Sequence, residues 1–417
     1  MRDSIAIEPA LGPSADLGHR LARQFVLRLG AHIRHGRIVV RDPLGTVELG
    51  RETEELPLSV NVTVHDLRLW SVLALSGSIG AGEAWVEELY DTGDLVGLVR
   101  ILVRNRAAMQ RLDGPLSQLT QPLHRAFHKL RRNTPGGARE NIAAHYDLGN
   151  ALYATFLDET MSYSAGIFET PESSLFDASR AKNERVCDKL GLGPSDHVLE
   201  IGSGWGGLAL HMASRYGCRV TTVTLSQEQR AFVEKKIADQ GLSSRVSVEL
   251  RDYRSVQGRF DKIVSIEMIE AVGHEYLPVF FEKLGALLQP DGVAVLQSIT
   301  IRDQQFDASK NAVDFIKRYI FPGSCIPSIT ALLGAATRAS DLTLTHLEDI
   351  TPHYALTLRH WRERFVANAG EVERLGYDRS FRRLWEFYLA YCEAGFRERY
   401  IGDVQLVFAK PGFGLGA

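Results

Sequence analysis

Residues 198–207 read Val-Leu-Glu-Ile-Gly-Ser-Gly-Trp-Gly-Gly, a short apolar run that ends in a glycine cluster. The residues that follow, 208–216, have the spacing of an amphipathic helix. Glycines at such a strand-to-helix turn allow a close approach to a ligand, because no Cβ intervenes. The dinucleotide-binding pattern would place a carboxylate about 20 residues later, at the tip of the next strand. The next predicted strand, Arg219–Thr224, has no carboxylate at its tip, so a different ligand is expected.

Strand-like and helix-like patterns alternate from about Glu140 to the end of the chain. Such alternation predicts a parallel sheet with helices on both faces. The predicted strands are Val198–Ile201, Arg219–Thr224, Val246–Leu250, Lys262–Ile266, Val293–Ser298 and Asp403–Ala409. The stretch 303–349 interrupts this order and is predicted to form a helical cover over the site. We therefore predict an α/β, doubly wound sheet for residues 140–417.

Polar side chains follow four of these strands. The first tip carries Glu200, Gly202, Gly204 and Gly206, the second Thr224 and Gln229, the third Asp252 and Tyr253, and the fourth Glu267 and Glu270. We expect the Gln229 amide to bond ribose hydroxyls, Asp252 to accept from an adenine amine, and Tyr253 to cover the ring. Each acid alone is equally explained as a helix cap or a surface charge. Because ligands bind at the carboxyl ends of parallel strands, their coincidence there favours a binding site.

Residues 19–113 have the pattern of a smaller α+β domain. Its predicted elements are helices His19–Gly30, Leu67–Leu75, Gly82–Asp91 and Asp94–Arg111, and strands Arg37–Val40, Thr46–Leu49 and Leu58–Val64. Residues 1–18 are predicted to be a flexible leader. Residues 114–139, which contain three prolines, are predicted to be a basic interdomain linker.

Charge is unevenly distributed around this linker. Between Asp94 and Glu140 the chain has one acid, Asp113, and nine lysines and arginines. A basic stretch with interleaved apolar residues favours attachment to an anionic membrane surface. A solvated linker explains the same charges equally well.

The bulk composition excludes several classes of protein. The chain has 417 residues, of which 45% are hydrophobic and 24% are charged, as in soluble globular proteins. Its net charge of −3 gives no argument for a nucleic-acid partner, and no apolar run approaches the ~18 residues of a membrane span. The four cysteines lie far apart, which predicts a reduced, cytoplasmic setting without a structural metal.

The glycine turn resembles the S-adenosylmethionine (SAM) loop of a class I methyltransferase. Other motifs make the resemblance specific: His145-Tyr-Asp-Leu-Gly-Asn150, Met161-Ser-Tyr-Ser164, Thr224-Leu-Ser-Gln-Glu-Gln229, Glu270-Ala-Val-Gly273 and His353-Tyr-Ala-Leu-Thr-Leu358. With them the chain resembles the cyclopropane-fatty-acyl-phospholipid synthase family, which includes the mycolic acid cyclopropane synthases. The segment Gly80-Ala-Gly-Glu-Ala-Trp85 resembles the amino-terminal lipid-binding domain of bacterial members.

The resemblance implies a Rossmann-like methyltransferase fold, with SAM as the cofactor. It also implies methyl transfer to the cis double bond of unsaturated fatty acyl chains in membrane phospholipids. Tyr163 and Ser164 are expected at the cofactor, and Glu270, Tyr354 and the Ile299 backbone around a bound bicarbonate that removes a proton. The expected location is cytoplasmic, peripheral at the anionic inner membrane face, and a homodimer is left open.

Three positions depart from the family pattern. Ala165, Gln297 and Glu267 stand where the family commonly has cysteine, histidine and glycine. One interpretation is neutral drift in a site that still binds bicarbonate. The other is that Glu267 occupies the space of the bicarbonate and is itself the base. A base in a different position removes a different proton, which gives a methyl-branched or methylene product instead of a cyclopropane.

Two further hypotheses concern the whole protein. A catalytically silent lipid-binding homologue is favoured by Ala165 and Gln297, but it would not need the intact SAM loop and Glu270. A small-molecule methyltransferase would leave the amino-terminal domain and the basic segment without a purpose.

Overall fold

The computed structural model describes residues 13–106 and 148–414. The chain divides into two compact units, Met1–Leu123 and His124–Ala417, and this division falls within the predicted linker. Residues 1–12 of the predicted leader and most of the basic segment lie outside the described residues.

The first unit is a small α+β arrangement. It contains helices α1 (Pro13–Gly30), α2 (Arg68–Val86) and α3 (Leu95–Arg104) and strands β1 (Gly36–Asp42), β2 (Gly45–Arg51), β3 (Ser59–Val64) and β4 (Tyr90–Thr92). The strands form one sheet in the order β2-β1-β3-β4, with β1 parallel to β3 and antiparallel to β2. In β3 every second residue is buried, as expected for a strand with one face on the core.

Two predictions for this unit are wrong. Helix α1 begins at Pro13, so residues 13–18 belong to a helix and not to the leader; proline is well tolerated at the first helical position. The predicted helices Leu67–Leu75 and Gly82–Asp91 form one element, α2, which is interrupted at Gly77 (φ 53°, ψ −127°). The residues Tyr90–Thr92 form β4 instead, because they pair with β3.

The second unit is built on a seven-stranded sheet. Its strands are β5 (His197–Ile201), β6 (Arg219–Thr224), β7 (Val246–Leu250), β8 (Phe260–Ile266), β9 (Leu288–Ile301), β10 (Thr343–Asp349) and β11 (Ile401–Ala409). Their order is β10-β11-β9-β8-β5-β6-β7, and β11 is antiparallel to both of its neighbours while the five strands from β9 to β7 are parallel. The predicted α/β sheet is confirmed.

Helices cover both faces of this sheet. They are α4 (Asn150–Ala154), α5 (Leu175–Leu190), α6 (Gly207–Tyr216), α7 (Gln227–Asp239), α8 (Leu277–Leu287), α9 (Asp303–Ser309), α10 (Phe315–Tyr319), α11 (Ile329–Ala339), α12 (Thr351–Ala367), α13 (Ala369–Arg374) and α14 (Arg379–Arg397). Short 3₁₀ turns lie at Tyr253–Ser255, Ile269–Ala271 and His274–Tyr276.

The predicted cover over 303–349 is helical only as far as Ala339. Its last seven residues, Thr343–Asp349, form the edge strand β10, which pairs with β11. All seven are exposed or half-buried, without a regular alternation, so the period-two signal of a strand is weak there.

Two apolar clusters hold the sheet. One contains Phe280 and Phe281 of α8, and the other contains Val186 of α5 and Met212 of α6. Strand β5 lies between β6 and β8, so the chain reverses its direction across the sheet at this point. Ligand crevices form at the carboxyl ends of strands at such a reversal.

A helix that could span a membrane and a metal-binding cluster are both absent from residues 13–106 and 148–414. No helix there has the length and apolar character needed to cross a bilayer, and no three metal-binding side chains are grouped. The four cysteines are unpaired.

Candidate active site

The glycine turn after β5 leaves an open space on one side. Gly202, Gly204 and Gly206 have φ angles of 97°, 48° and 84°, which side chains with a Cβ rarely adopt. A Cβ on Gly202 would lie 3.2 Å from Met268, and one on Gly206 would lie 3.1 Å from Val233. A Cβ on Gly204 would meet nothing within 4 Å. Gly204 is therefore the position where a ligand can approach the backbone.

The end of β6 presents one oriented amide. Gln229 is buried at the start of α7, and its Oε1 accepts a hydrogen bond from the Thr224 hydroxyl at 2.8 Å. Because Thr224 takes the oxygen, the Nε2 group is the end that remains to donate. This arrangement fits the predicted bond to ribose hydroxyls.

The end of β7 differs from the expectation. The Asp252 carboxylate accepts hydrogen bonds from Arg254 Nε at 2.8 Å and Nη2 at 2.6 Å. The Tyr253 ring packs against Phe280 in the core, with ring centroids 5.4 Å apart. An adenine amine would use a remaining lone pair of Asp252. The role of Tyr253 at the adenine ring stays a prediction, because its ring is largely taken up by the core.

Glu200 does not project from the tip of its strand. Its side chain is buried, and burial raises its pKa to about 8, although Thr222 and Lys182 oppose this shift. Lys182 of α5 is also buried, and burial lowers its pKa against the attraction of Glu267 and Glu200. Sequence reasoning missed Lys182, although it lies on the buried stripe of α5 with Ala178 and Val186. The role of Glu200 at the cofactor stays a prediction.

The loop after α4 brings aromatic side chains to the site. The Tyr163 hydroxyl is 2.8 Å from the hydroxyl of Tyr388, and its ring lies 5.1 Å from that of Trp361. Ser164 is buried beside it, and the next residue, Ala165, turns its backbone N–H towards Glu267. The predicted cofactor residues Tyr163 and Ser164 thus lie next to the predicted catalytic group.

Three donors from three elements converge on the Glu267 carboxylate. The Ala165 N–H and Gln297 Nε2 donate to Oε1 at 2.9 and 2.7 Å, and the Tyr354 hydroxyl donates to Oε2 at 2.7 Å. Glu267 has a φ of 49°, which is rare outside glycine and marks a backbone held in place by its surroundings. Burial raises the pKa of Glu267, whereas these hydrogen bonds lower it. All three of these hydrogen bonds are therefore accepted by a side chain of the protein itself.

Glu270 lies one 3₁₀ turn further on, in the same buried region. Its Oε1 accepts hydrogen bonds from the Ser298 hydroxyl at 3.0 Å and the Ile299 N–H at 2.6 Å. Its Oε2 has no hydrogen-bond partner among the described residues. Burial and the neighbouring Glu267 raise the pKa of Glu270 to about 8. The predicted contact of the Ile299 backbone is thus made to Glu270 itself.

Sequence reasoning missed one buried carboxyl group, Asp403 of β11. Gln297 Nε2 is 3.2 Å from its Oδ2, so one amide bridges Asp403 and Glu267. Burial and the nearby Glu267 raise the pKa of Asp403 well above its usual range. Two such carboxyl groups resist simultaneous ionisation. The sequence signal that could have identified Asp403 is its charge, because it stands in a strand whose other residues are mostly apolar and buried.

The family model described as mycolic acid cyclopropane synthetase matches residues 134–406, well over half of the chain. The chain belongs to this family. It is 38% identical over 354 residues to "Tuberculostearic acid methyltransferase UfaA1" of Mycobacterium tuberculosis, covering 81% of this chain and 80% of the relative. It is 36% identical over 266 residues to "Cyclopropane-fatty-acyl-phospholipid synthase" of Escherichia coli, covering 64% and 66%.

A solved structure of a family member matches about two thirds of the chain. The structure of mycolic acid cyclopropane synthase CmaA1 complexed with SAH and CTAB is 32% identical, with a TM-score of 0.61. The match covers 65% of this chain and 98% of that chain. The predicted family, the Rossmann-like methyltransferase fold and SAM as cofactor are confirmed. The protein is a SAM-dependent methyltransferase that acts on fatty acyl lipids.

The residues of this chain fit SAM. The open backbone at Gly204 and the oriented Gln229 amide provide room and a donor.

We predict that Gly204→Val weakens SAM binding at least about tenfold, equivalent to about 1.4 kcal/mol. The new side chain would project into the space that the cofactor needs. Gly241→Val is the matched control, because Gly241 also has a positive φ (67°) and an added Cβ there would also meet nothing within 4 Å. Gly241 precedes β7, at the amino end of that strand, whereas Gly204 follows the carboxyl end of β5. Isothermal calorimetry with SAM measures both variants. Equal affinity of Gly204→Val and the parent would contradict the assignment.

Proposed function

We propose that the protein methylates the cis double bond of unsaturated acyl chains in membrane phospholipids and that Glu267 accepts the proton released. The observation that carries this proposal is the convergence of Ala165, Gln297 and Tyr354 on the Glu267 carboxylate. In a site that uses a free anion as its base, these donors would face that anion. Here they face a residue of the chain.

The alkene of the acyl chain is itself the nucleophile and needs no base to activate it. The site must instead stabilise the positive charge that forms on the acyl chain after methyl transfer. When bound, SAM supplies the methyl group, and its transfer to an alkene leaves a positive charge on the neighbouring carbon of the acyl chain. An ionised Glu267 stabilises such a charge and takes up the proton whose loss restores neutrality. Tyr354 and Gln297 hold the carboxylate in place, and the raised pKa of Tyr354 keeps it a donor.

The position of the base decides the product. Loss of a proton from the transferred methyl group, with ring closure, gives a cyclopropane. Loss of a proton from a chain carbon beside the cation gives a methyl-branched alkene. A hydride shift from the methylated carbon instead moves the positive charge to that carbon, and loss of a proton from the transferred methyl group then gives a methylene group. Glu267 is anchored at the end of β8, so we propose that it selects an open-chain product. A relative named as a tuberculostearic acid methyltransferase supports transfer to a fatty acid.

Mass spectrometry of lipids from cells that express the protein tests this proposal. Each modified acyl chain should gain one CH₂. Mild hydrogenation should then add two hydrogens to the product, since an alkene is reduced and a cyclopropane ring is retained. A product that resists hydrogenation would contradict the open-chain assignment. SAM binding without any gain of mass would instead indicate a catalytically silent homologue.

Attachment to a membrane surface is part of the proposal. Leu17, Leu21 and Phe25 are 61%, 58% and 37% exposed, and their spacing of four residues places them on one face of α1. An exposed apolar stripe on a helix suits insertion between lipid headgroups. The basic residues between Asp94 and Glu140 supply the charge that attracts anionic lipids.

We predict that Leu17→Ser/Leu21→Ser reduces co-sedimentation with anionic vesicles several-fold. Each buried methylene contributes about 0.8 kcal/mol to such binding. Raising the ionic strength should weaken binding further, because each basic residue near the surface contributes about 1 kcal/mol that salt screens. Leu375→Ser, an exposed leucine of the second unit, is the control. Binding that is indifferent to salt, lipid charge and the α1 variant would count against the proposal.

A further inference from the structure

A chain of hydrogen bonds leads from Glu267 through the sheet to its edge. Gln297 Nε2 donates to Glu267 at 2.7 Å, and Gln405 Nε2 donates to Gln297 Oε1 at 2.9 Å. Lys189 Nζ donates to Gln405 Oε1 at 2.6 Å and to Glu348 at 2.5 Å. The two glutamines are fully buried and directly opposite one another on β9 and β11. Lys189 is nearly buried on α5, so the chain reaches partly exposed groups only at Glu348 and Arg185.

The direction of this chain follows from its outer end. A lysine ammonium donates and never accepts, so Gln405 must turn its oxygen towards Lys189. Its amide N–H groups then face Gln297, which must present its own oxygen in return. The N–H groups of Gln297 are thereby directed to Glu267 and Asp403. If the Gln297 amide were reversed, its oxygen would face the carboxyl groups of Glu267 and Asp403, and neither would receive a hydrogen bond from Gln297.

We propose that Lys189 and Gln405 are positioning residues that fix the Gln297 amide with its donors towards Glu267. The consequence for catalysis rests on the proposed function, in which Glu267 must be ionised to accept a proton. Donation by Gln297 stabilises the ionised carboxylate, and an oxygen in its place would favour the protonated form. Lys189 thus acts through two amides on a group that it does not touch.

Other titratable groups also face Glu267, and the test must leave them unchanged. They are Asp403 on β11, Glu270 on the 3₁₀ turn, Tyr354 on α12 and Lys182 on α5. Burial raises the pKa of Glu267, and the bond from Gln297 is one of those that lower it again. Removal of that bond is therefore expected to raise the pKa of Glu267 further.

The decisive variant is Gln405→Glu. A carboxylate at this position accepts from Lys189 and has no hydrogen to give to Gln297, so the Gln297 amide should reverse. Retained Lys189 balances the new charge. The ionisation of Glu267 is followed by ¹³C NMR of protein labelled at glutamate carboxyl carbons, with its resonance assigned by its absence from Glu267→Gln. We expect the midpoint of the Glu267 titration to rise by about one pH unit. Loss of a hydrogen bond to the carboxylate, together with an amide oxygen turned towards it, produces a shift of this size.

Further variants keep the test open if Gln405→Glu does not fold. Lys189→Met removes the group that orients Gln405, and it should raise the Glu267 midpoint by less than Gln405→Glu does. Lys189→Arg keeps a donor at this position, so its Glu267 midpoint should equal that of the parent. Arg185→Gln is the control, because Arg185 donates to Oε1 of Glu348, whereas Lys189 donates to Oε2, and the Lys189 bond to Gln405 does not involve Arg185. Its midpoint should equal that of the parent.

The outcomes separate this inference from the proposed function. An unchanged Glu267 midpoint in both Gln405→Glu and Lys189→Met would overturn the positioning role, whatever reaction the protein catalyses. A raised midpoint supports it. If the midpoint rises but the acid limb of kcat/KM for methyl transfer does not follow, the positioning role stands and Glu267 is not the base.

Discussion

Replacement of Glu267 by glutamine is expected to lower kcat for lipid methylation by roughly 10²-fold or more, the usual contribution of a positioned base. Glutamine has the same shape but no group that accepts a proton at neutral pH. It would also lose the negative charge that the Tyr354, Gln297 and Ala165 donors now stabilise. SAM affinity should change little, because the Gly204 turn and the Gln229 amide belong to other strands.

Steady-state methylation of phospholipid vesicles measures this effect, with SAM calorimetry on the same samples. Glu282→Gln is the matched control, since Glu282 is exposed on α8 and undergoes the same chemical change. In the parent, the rate should fall as the pH falls through the raised pKa of Glu267, because only the ionised form accepts a proton. If Glu267→Gln retains the rate and product of the parent, the base lies elsewhere and Glu267 is structural.

The sequence allowed most of the second unit to be predicted, for a physical reason. Strands buried on both faces are short apolar runs separated by helices, so β5, β6 and β8 stand out along the chain. Edge strand β10 lacks this signal, because none of its residues is buried. Helix α1 was placed too late because its first turn has no apolar stripe to identify it.

The site was predicted only in part. Glu267 and Glu270 could be placed at the end of β8, since the end of a strand is visible in the sequence. Their partners could not, because Ala165 and Tyr354 are 102 and 87 residues away from Glu267 along the chain. The hydrogen bonds that distinguish a base from a surface charge depend on packing between distant segments. The three departures lie together in the fold, since the Ala165 N–H and Gln297 Nε2 both donate to Glu267 Oε1.

The same contacts lead to a second large effect, in the double variant Glu267→Gly/Gln297→His. Glycine removes the carboxylate and relieves the φ of 49° at this position. The Ala165 N–H and Tyr354 hydroxyl would then face a space that an anion can enter, with the introduced imidazole as a third donor. We expect this variant to need added bicarbonate, with roughly 10²-fold stimulation over carbonate-depleted buffer. Its product should shift towards the cyclopropane.

The measurement is the rate with and without bicarbonate, followed by mass spectrometry before and after mild hydrogenation. Glu267→Gly alone is the control, because it opens the same space while Gln297 continues to donate; it should respond to bicarbonate more weakly. A parent enzyme that is itself stimulated by bicarbonate would show that an anion binds beside Glu267 and does not replace it. A double variant that ignores bicarbonate would show that the three donors do not form an anion site. Since Glu267 now occupies the point where those donors converge, stimulation confined to the variants would identify its carboxylate as the built-in equivalent of that anion.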